Sequence, residues 1–82
     1  MTRFGMSESY LLTPMATEWL SQLLSSKAAT QGAVIRRKAR DVDRVVGREP
    51  FLFEMRRRGY GVVENAEQYV IFCNREPIRR IA

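Results

Sequence analysis

Twelve of the fourteen basic residues in this 82-residue chain are arginine, and most of them fall in short runs. Arg36-Arg37-Lys38 is followed by Arg40, Arg44 and Arg48, and then by the triplet Arg56-Arg57-Arg58. An arginine side chain presents a planar fork of donors that fits phosphate oxygens or a guanine edge two bonds at a time, whereas lysine is a point charge. The runs are unevenly placed. From Val34 to the end there are 12 basic and 7 acidic residues, which holds the whole formal excess of +5. Before that point Arg3 and Lys27 balance Glu8 and Glu18. Cations gathered in one part of a chain point to an anionic partner, nucleic acid first. The plainer reading is a solvated surface, with Asp41 and Asp43 interleaved among the arginines and able to pair with Arg37, Arg40 or Arg44.

The residue types needed for catalysis are sparse. The sequence has no histidine, so the commonest general base near neutral pH is missing. Ser21, Ser25 and Ser26 have only Lys27 nearby as a base, and serine is ordinary on the polar face of a helix. Asp41 and Asp43 are two residues apart, so on a helix they diverge and do not form a carboxylate pair. Gly59-Tyr60-Gly61 reads as a helix stop entering a strand, not as a phosphate-cradling loop. Cys73 is the only cysteine. It has no disulfide partner and no histidine with which to share a metal, and it reads as a small buried hydrophobe. The expectation is a protein that is not an enzyme and uses no metal or cofactor. A lone thiol, a leader region Met1–Ser9 without an apolar core, and no apolar run near ~20 residues favour the cytoplasm over a secreted or membrane location.

The elements that must carry these residues can be read from period and punctuation. Hydrophobic residues make up 45% of the chain and charged ones 28%, a globular balance. A chain this short, however, buries only ~60% of its unfolded surface. Residues 1–12 read as a flexible arm before a single domain over 13–82. Thr13 as N-cap and Pro14 at the first helical position start a helix. Ala16, Trp19, Leu20, Leu23 and Leu24 recur at helical spacing, and Gly32 is the stop, so helix 1 is expected over roughly 14–29. Ala33 to Arg37 reads as a short strand. Val42, Val45 and Val46 give a second helix near 39–46, ended by Gly47. Arg48-Glu49 is expected as a turn and Pro50 as the start of a third helix, with Phe51, Leu52 and Met55 buried and Gly59 closing it. A hairpin follows. Tyr60 to Glu64 and Gln68 to Cys73 are its strands, and Asn65-Ala66-Glu67 its turn, with Asn65 tolerant of positive φ. Asn74 to Pro77 reads as a turn, and Ile78 to Ala82 as a tail or edge strand.

The expected fold class is therefore α+β: three helices with a short strand and a C-terminal β-hairpin. In this order the segment 14–73 resembles a winged helix-turn-helix DNA-binding domain. The resemblance rests on element order and turn length, not on a residue signature. It implies that helix 3 enters a major groove. Arg56 and Arg57, which lie on its solvent side with Phe53, would be the reading residues, with Arg48 near its start. Arg36, Arg37, Lys38, Arg40 and Arg44 would hold phosphate, fixing register without reading sequence. Five such contacts imply that log K falls against log salt with a slope of about −4.5. The hairpin tip departs from the family pattern: Glu64, Asn65 and Glu67 stand where a groove-inserting wing needs a cation. A second likeness, to short bacterial proteins with a similar Arg-rich helix and hairpin, implies no function.

Two rivals follow from the same residues. Phe51 to Asn74 also looks like the double-stranded-RNA-binding fold of certain toxin nucleases, but their catalytic histidine is missing from Tyr69-Val70-Ile71-Phe72, which leaves RNA binding without cleavage. Alternatively, the chain is a protein-interaction adaptor that uses the hairpin and the Trp19/Leu23 stripe. Tyr69 to Cys73 is apolar on both faces of its strand. One face closes the core; the other needs helix 1, the tail or a second copy over it. A homodimer through the hairpin face or helix 1 is therefore expected.

Overall fold

The structure is a computed structural model and describes residues 12–82. The arm expected over 1–12 lies outside the described residues except for Leu12, which packs against the core.

Thr13 caps the first helix as its sequence suggests. Its hydroxyl accepts from the Ala16 amide at 3.0 Å, and Pro14 takes the first turn. The helix is shorter than the expected 14–29. Helix α1 spans Pro14–Leu24, and a separate turn of helix, α2, spans Lys27–Thr30. The break falls at Ser25-Ser26 because serine hydroxyls compete for backbone partners. The Ser25 hydroxyl donates to the Gln22 carbonyl at 3.4 Å, and Ser26 recaps the chain by accepting from the Ala29 amide at 3.3 Å. Helix α2 ends on Gly32, where the Gly32 and Ala33 amides donate to Ala29 and Ala28, the paired bonds of a Schellman stop.

Strand β1 is Val34–Lys38, one residue later than expected, and helix α3 is Ala39–Val45. Arg48-Glu49 is not a turn. These residues form the first turn of α4, Arg48–Arg58, and only Val46 and Gly47 lie between α3 and α4. Pro50 sits inside that first turn, where a missing N–H has no partner to lose. Gly59 closes α4 in the left-handed region, at φ 78°.

Strands β2 (Gly61–Asn65) and β3 (Gln68–Phe72) form the hairpin, and β1 adds to the far side of β3, so the antiparallel sheet has the order β1-β3-β2. The connection is tighter than expected. Asn65 is the last residue of β2, and the two turn residues, Ala66 and Glu67, both carry positive φ, at 52° and 60°. Asn74 makes a turn through its side chain, accepting from the Glu76 amide and donating to the Gly32 carbonyl, each at 3.0 Å. Residues 78–82 form no strand. The architecture is thus α+β with four helices, where three were expected, packed on one face of a three-stranded sheet.

Strand alternation divides the sheet into two faces. Ile35, Tyr69 and Ile71 face the helices and join Leu20, Leu23, Val42, Phe51 and Met55 in the core. The Phe51 and Tyr69 rings stack with centroids 5.1 Å apart. The register places Val34, Phe72 and Gly61 in one row, Arg36, Val70 and Val63 in the next, and Lys38, Gln68 and Asn65 in the third, all on the opposite face. The tail covers one end of this outer face: a Cβ on Gly61 would collide with the Ile78 side chain. Val34 and Val63 remain 45% and 37% exposed.

Candidate nucleic-acid interface

The eight cations expected to contact nucleic acid do not gather on one surface. Arg48 begins α4 at the centre of a four-residue network. Its Nη1 donates to Glu64 Oε1 at 3.2 Å and to the Tyr69 hydroxyl at 3.0 Å. The Tyr69 hydroxyl in turn donates to Asp43 Oδ1 at 2.8 Å. The guanidinium also sits 5.7 Å from the Tyr69 ring centroid. One arginine thereby ties the start of α4 to both hairpin strands, and through Tyr69 to α3. Glu64 is the largest influence raising its pKa. Burial, and then the bond to Asp43, push the Tyr69 hydroxyl above its ordinary value while Arg48 opposes them. Arg48, expected near the start of a reading helix, is held here by Glu64 and Tyr69.

Three further arginines have acid partners. Arg57 grips Glu54 with two bonds of 2.9 and 2.8 Å, which holds the Glu54 carboxyl below its usual range. Arg44 and Arg40 lie 3.4 and 3.9 Å from the same Asp41 carboxylate. Arg37 has no acid partner among the described residues; it borders Trp19 and Leu23 of α1 and donates Nη1 to the Arg36 carbonyl at 2.7 Å. Arg56 is exposed on α4, also without an acid partner among the described residues. Phe53, expected to stand exposed beside Arg56 and Arg57, is half-buried.

Arg36 and Lys38 are placed differently. Strand alternation sends them to the outer face of β1, where Lys38 also stands at the N-terminal end of α3, and both are exposed. No acid pairs with either among the described residues. In the sequence they group with Arg37, Arg40 and Arg44, but adjacent positions on a strand point to opposite faces, so Arg36 and Arg37 belong to different surfaces. Three tail arginines were passed over: Arg75, against Gly59; Arg79; and Arg80. Their density in the last eight residues was a usable signal.

Two cavities are mixed in charge. One of about 410 Å³ lies between the start of α3 and the hairpin tip and is lined by Lys38, Arg40, Asp43, Glu64 and Glu67. Another, of about 320 Å³, is bordered by Thr17, Ser21 and Ser25 of α1 and by Glu54 and Arg58 of α4. Ser21 shares the lining of this cavity with Glu54 and Arg58. Cys73 is buried in the core, and burial raises its thiol pKa. Among the described residues no cluster of acids, histidines or cysteines could hold a metal ion, and no helix is long and apolar enough to cross a membrane. Compared with known protein families, curated proteins and solved structures, the chain matches none.

Proposed function

We propose that this protein is a small nucleic-acid-binding module of the winged-helix type, a DNA-binding regulator whose activity is binding, not catalysis. The observation that carries this reading is the presence of exposed cations without acid partners, Arg36, Arg37, Lys38 and Arg56, in a stretch whose elements run helix, strand, helix, helix, hairpin with the sheet order β1-β3-β2. The lack of any histidine in the sequence supports binding over turnover.

The ion pairs lower the number of phosphates the protein can hold. With Arg40, Arg44, Arg48 and Arg57 engaged by acids, the four cations left unpaired predict a salt slope of about −3.6 on duplex DNA, against −4.5 for five contacts. Titration of labelled duplex across a range of salt concentrations measures it. A flat slope, or no binding at low salt, refutes the reading. Duplex RNA in the same assay separates the double-stranded-RNA alternative.

The exposed Val34, Val63 and Ile78 favour a second reading, an adaptor or a homodimer joined through the outer sheet face. Sedimentation over a concentration series tests it: a concentration-dependent dimer supports the second reading, and a monomer throughout removes the homodimer.

A further inference from the structure

The outer face of the sheet differs from the rest of the described surface in its chemistry. Its nine strand positions are Val34, Arg36 and Lys38 of β1, Gln68, Val70 and Phe72 of β3, and Gly61, Val63 and Asn65 of β2. None is acidic. Two are cations, two are side-chain amides, and one is a half-buried aromatic ring. Val70 is 6% exposed yet stands outside the main core cluster, so it is a second, small apolar centre between Arg36 and Val63. Ile78 closes the Gly61 end, which brings the tail arginines Arg79 and Arg80 close behind it in the chain.

From these features we infer that the outer sheet face is a platform for single-stranded nucleic acid, a deeper reading that rests on the nucleic-acid binding proposed above. Unpaired bases offer flat π-faces and amide-reading edges, and their backbone carries one negative charge per nucleotide. A ring and flat aliphatic surface take the bases, the side-chain amides of Gln68 and Asn65 meet their edges, and Arg36 and Lys38 neutralise phosphates. Charge argues against a second copy as the occupant. Face-to-face packing would press Arg36 of both chains into a surface whose strand positions carry no carboxylate to receive it. A duplex is too stiff and too wide to lay bases on a flat sheet of three strands. At ~4.8 Å between strands and ~3.3 Å per residue, this one offers roughly 10 by 13 Å, enough for about two or three nucleotides.

The test compares a short labelled oligothymidylate with a duplex of equal length, using fluorescence anisotropy. The oligothymidylate binds more tightly than the duplex, with a salt slope of about −1.4 for two phosphates. Arg36→Glu weakens that binding by tenfold or more. Phe72→Leu, which keeps an apolar side chain and removes the ring, weakens it at least fivefold, as expected for the loss of one stacked base. Lys27→Ala, at an exposed cation of α2, leaves it unchanged. Circular dichroism confirms that each variant is folded. Amide shift mapping of the unaltered protein with oligothymidylate needs no variant: the perturbed amides fall on β1, β2 and β3 and not on α4. If the duplex binds more tightly and Arg56→Ala abolishes binding while Arg36→Glu does not, the inference falls and the nucleic-acid reading stands. If neither oligonucleotide binds at low salt, both fall. If the outer-face amides shift with protein concentration alone and oligothymidylate has no effect, the face is a self-association surface and the inference is wrong.

Discussion

On the helix side of the sheet, four of the arginines lie within reach of a carboxylate: Arg48 of Glu64, Arg57 of Glu54, and both Arg40 and Arg44 of Asp41. On the outer side, Arg36 and Lys38 stand on a face whose strand positions include no acid. The two regions look alike as strings of basic letters and differ in available charge. A salt-bridged arginine still attracts phosphate, but it must first exchange one partner for another. An unpaired one on an apolar sheet has nothing to exchange. Four helix-side arginines are tied to acids by these pairs, and Arg36 and Lys38 on the outer sheet are not.

The largest expected effect tests which side is architecture. Phe51→Ala removes a fully buried ring stacked on Tyr69 and costs about 3–5 kcal/mol in urea unfolding. Val63→Ala, on the outer face, costs under ~1 kcal/mol because that side chain is already partly in water. Equal losses would erase the distinction. Next comes Gly61→Ala, whose new methyl meets Ile78 and costs roughly 1–3 kcal/mol by overpacking. Adding Ile78→Ala relieves most of that, and the double-mutant cycle reports how firmly the tail holds the sheet.

Tyr69 gives a smaller, pH-dependent effect. Tyr69→Phe removes the hydroxyl that joins Asp43 to Arg48 and lowers stability by about 1–2 kcal/mol at neutral pH. Because the folded protein raises this hydroxyl's pKa, the unfolded chain ionises first. The contribution is complete below about pH 10 and lost as pH rises through the higher folded value. Denaturation followed from neutral to strongly alkaline pH should show that loss in the wild type and a weaker one in Tyr69→Phe. Smallest of all is the contrast between two arginines: Arg48→Ala lowers the melting temperature more than Arg57→Ala, since one links three elements and the other a single helix turn.

Local features of this fold were legible in the sequence. The Thr13-Pro14 start, the glycine stops at Gly32 and Gly59 and the hairpin strands depend on neighbours a few residues away, and each lies within a residue or two of its expected place. The break at Ser25-Ser26 was missed because an apolar stripe continues through it while the hydroxyls end the helix. Arg48-Glu49 reads as a turn only if proline must hold the first helical position, and a helix tolerates it elsewhere in the opening turn. At the candidate site, the pairs Glu54–Arg57 and Asp41–Arg44 follow from i,i+3 spacing. The pairing of Arg48 with Glu64, sixteen residues apart, needs the tertiary fold. The division of Arg36 from Arg37 follows from alternation alone, once the segment is taken as a strand.

The hairpin turn bears on the order in which the chain assembles. Ala66 and Glu67 both occupy the left-handed region, which asparagine and glycine enter readily and these residues do not. A turn of this composition is a poor nucleus, so the hairpin is held shut from outside, by β1 along β3 and by Arg48 across both of its strands. Residue 34 must find residue 72 before β3 has both neighbours. Closing that long loop costs more chain entropy than the tight bend at the tip.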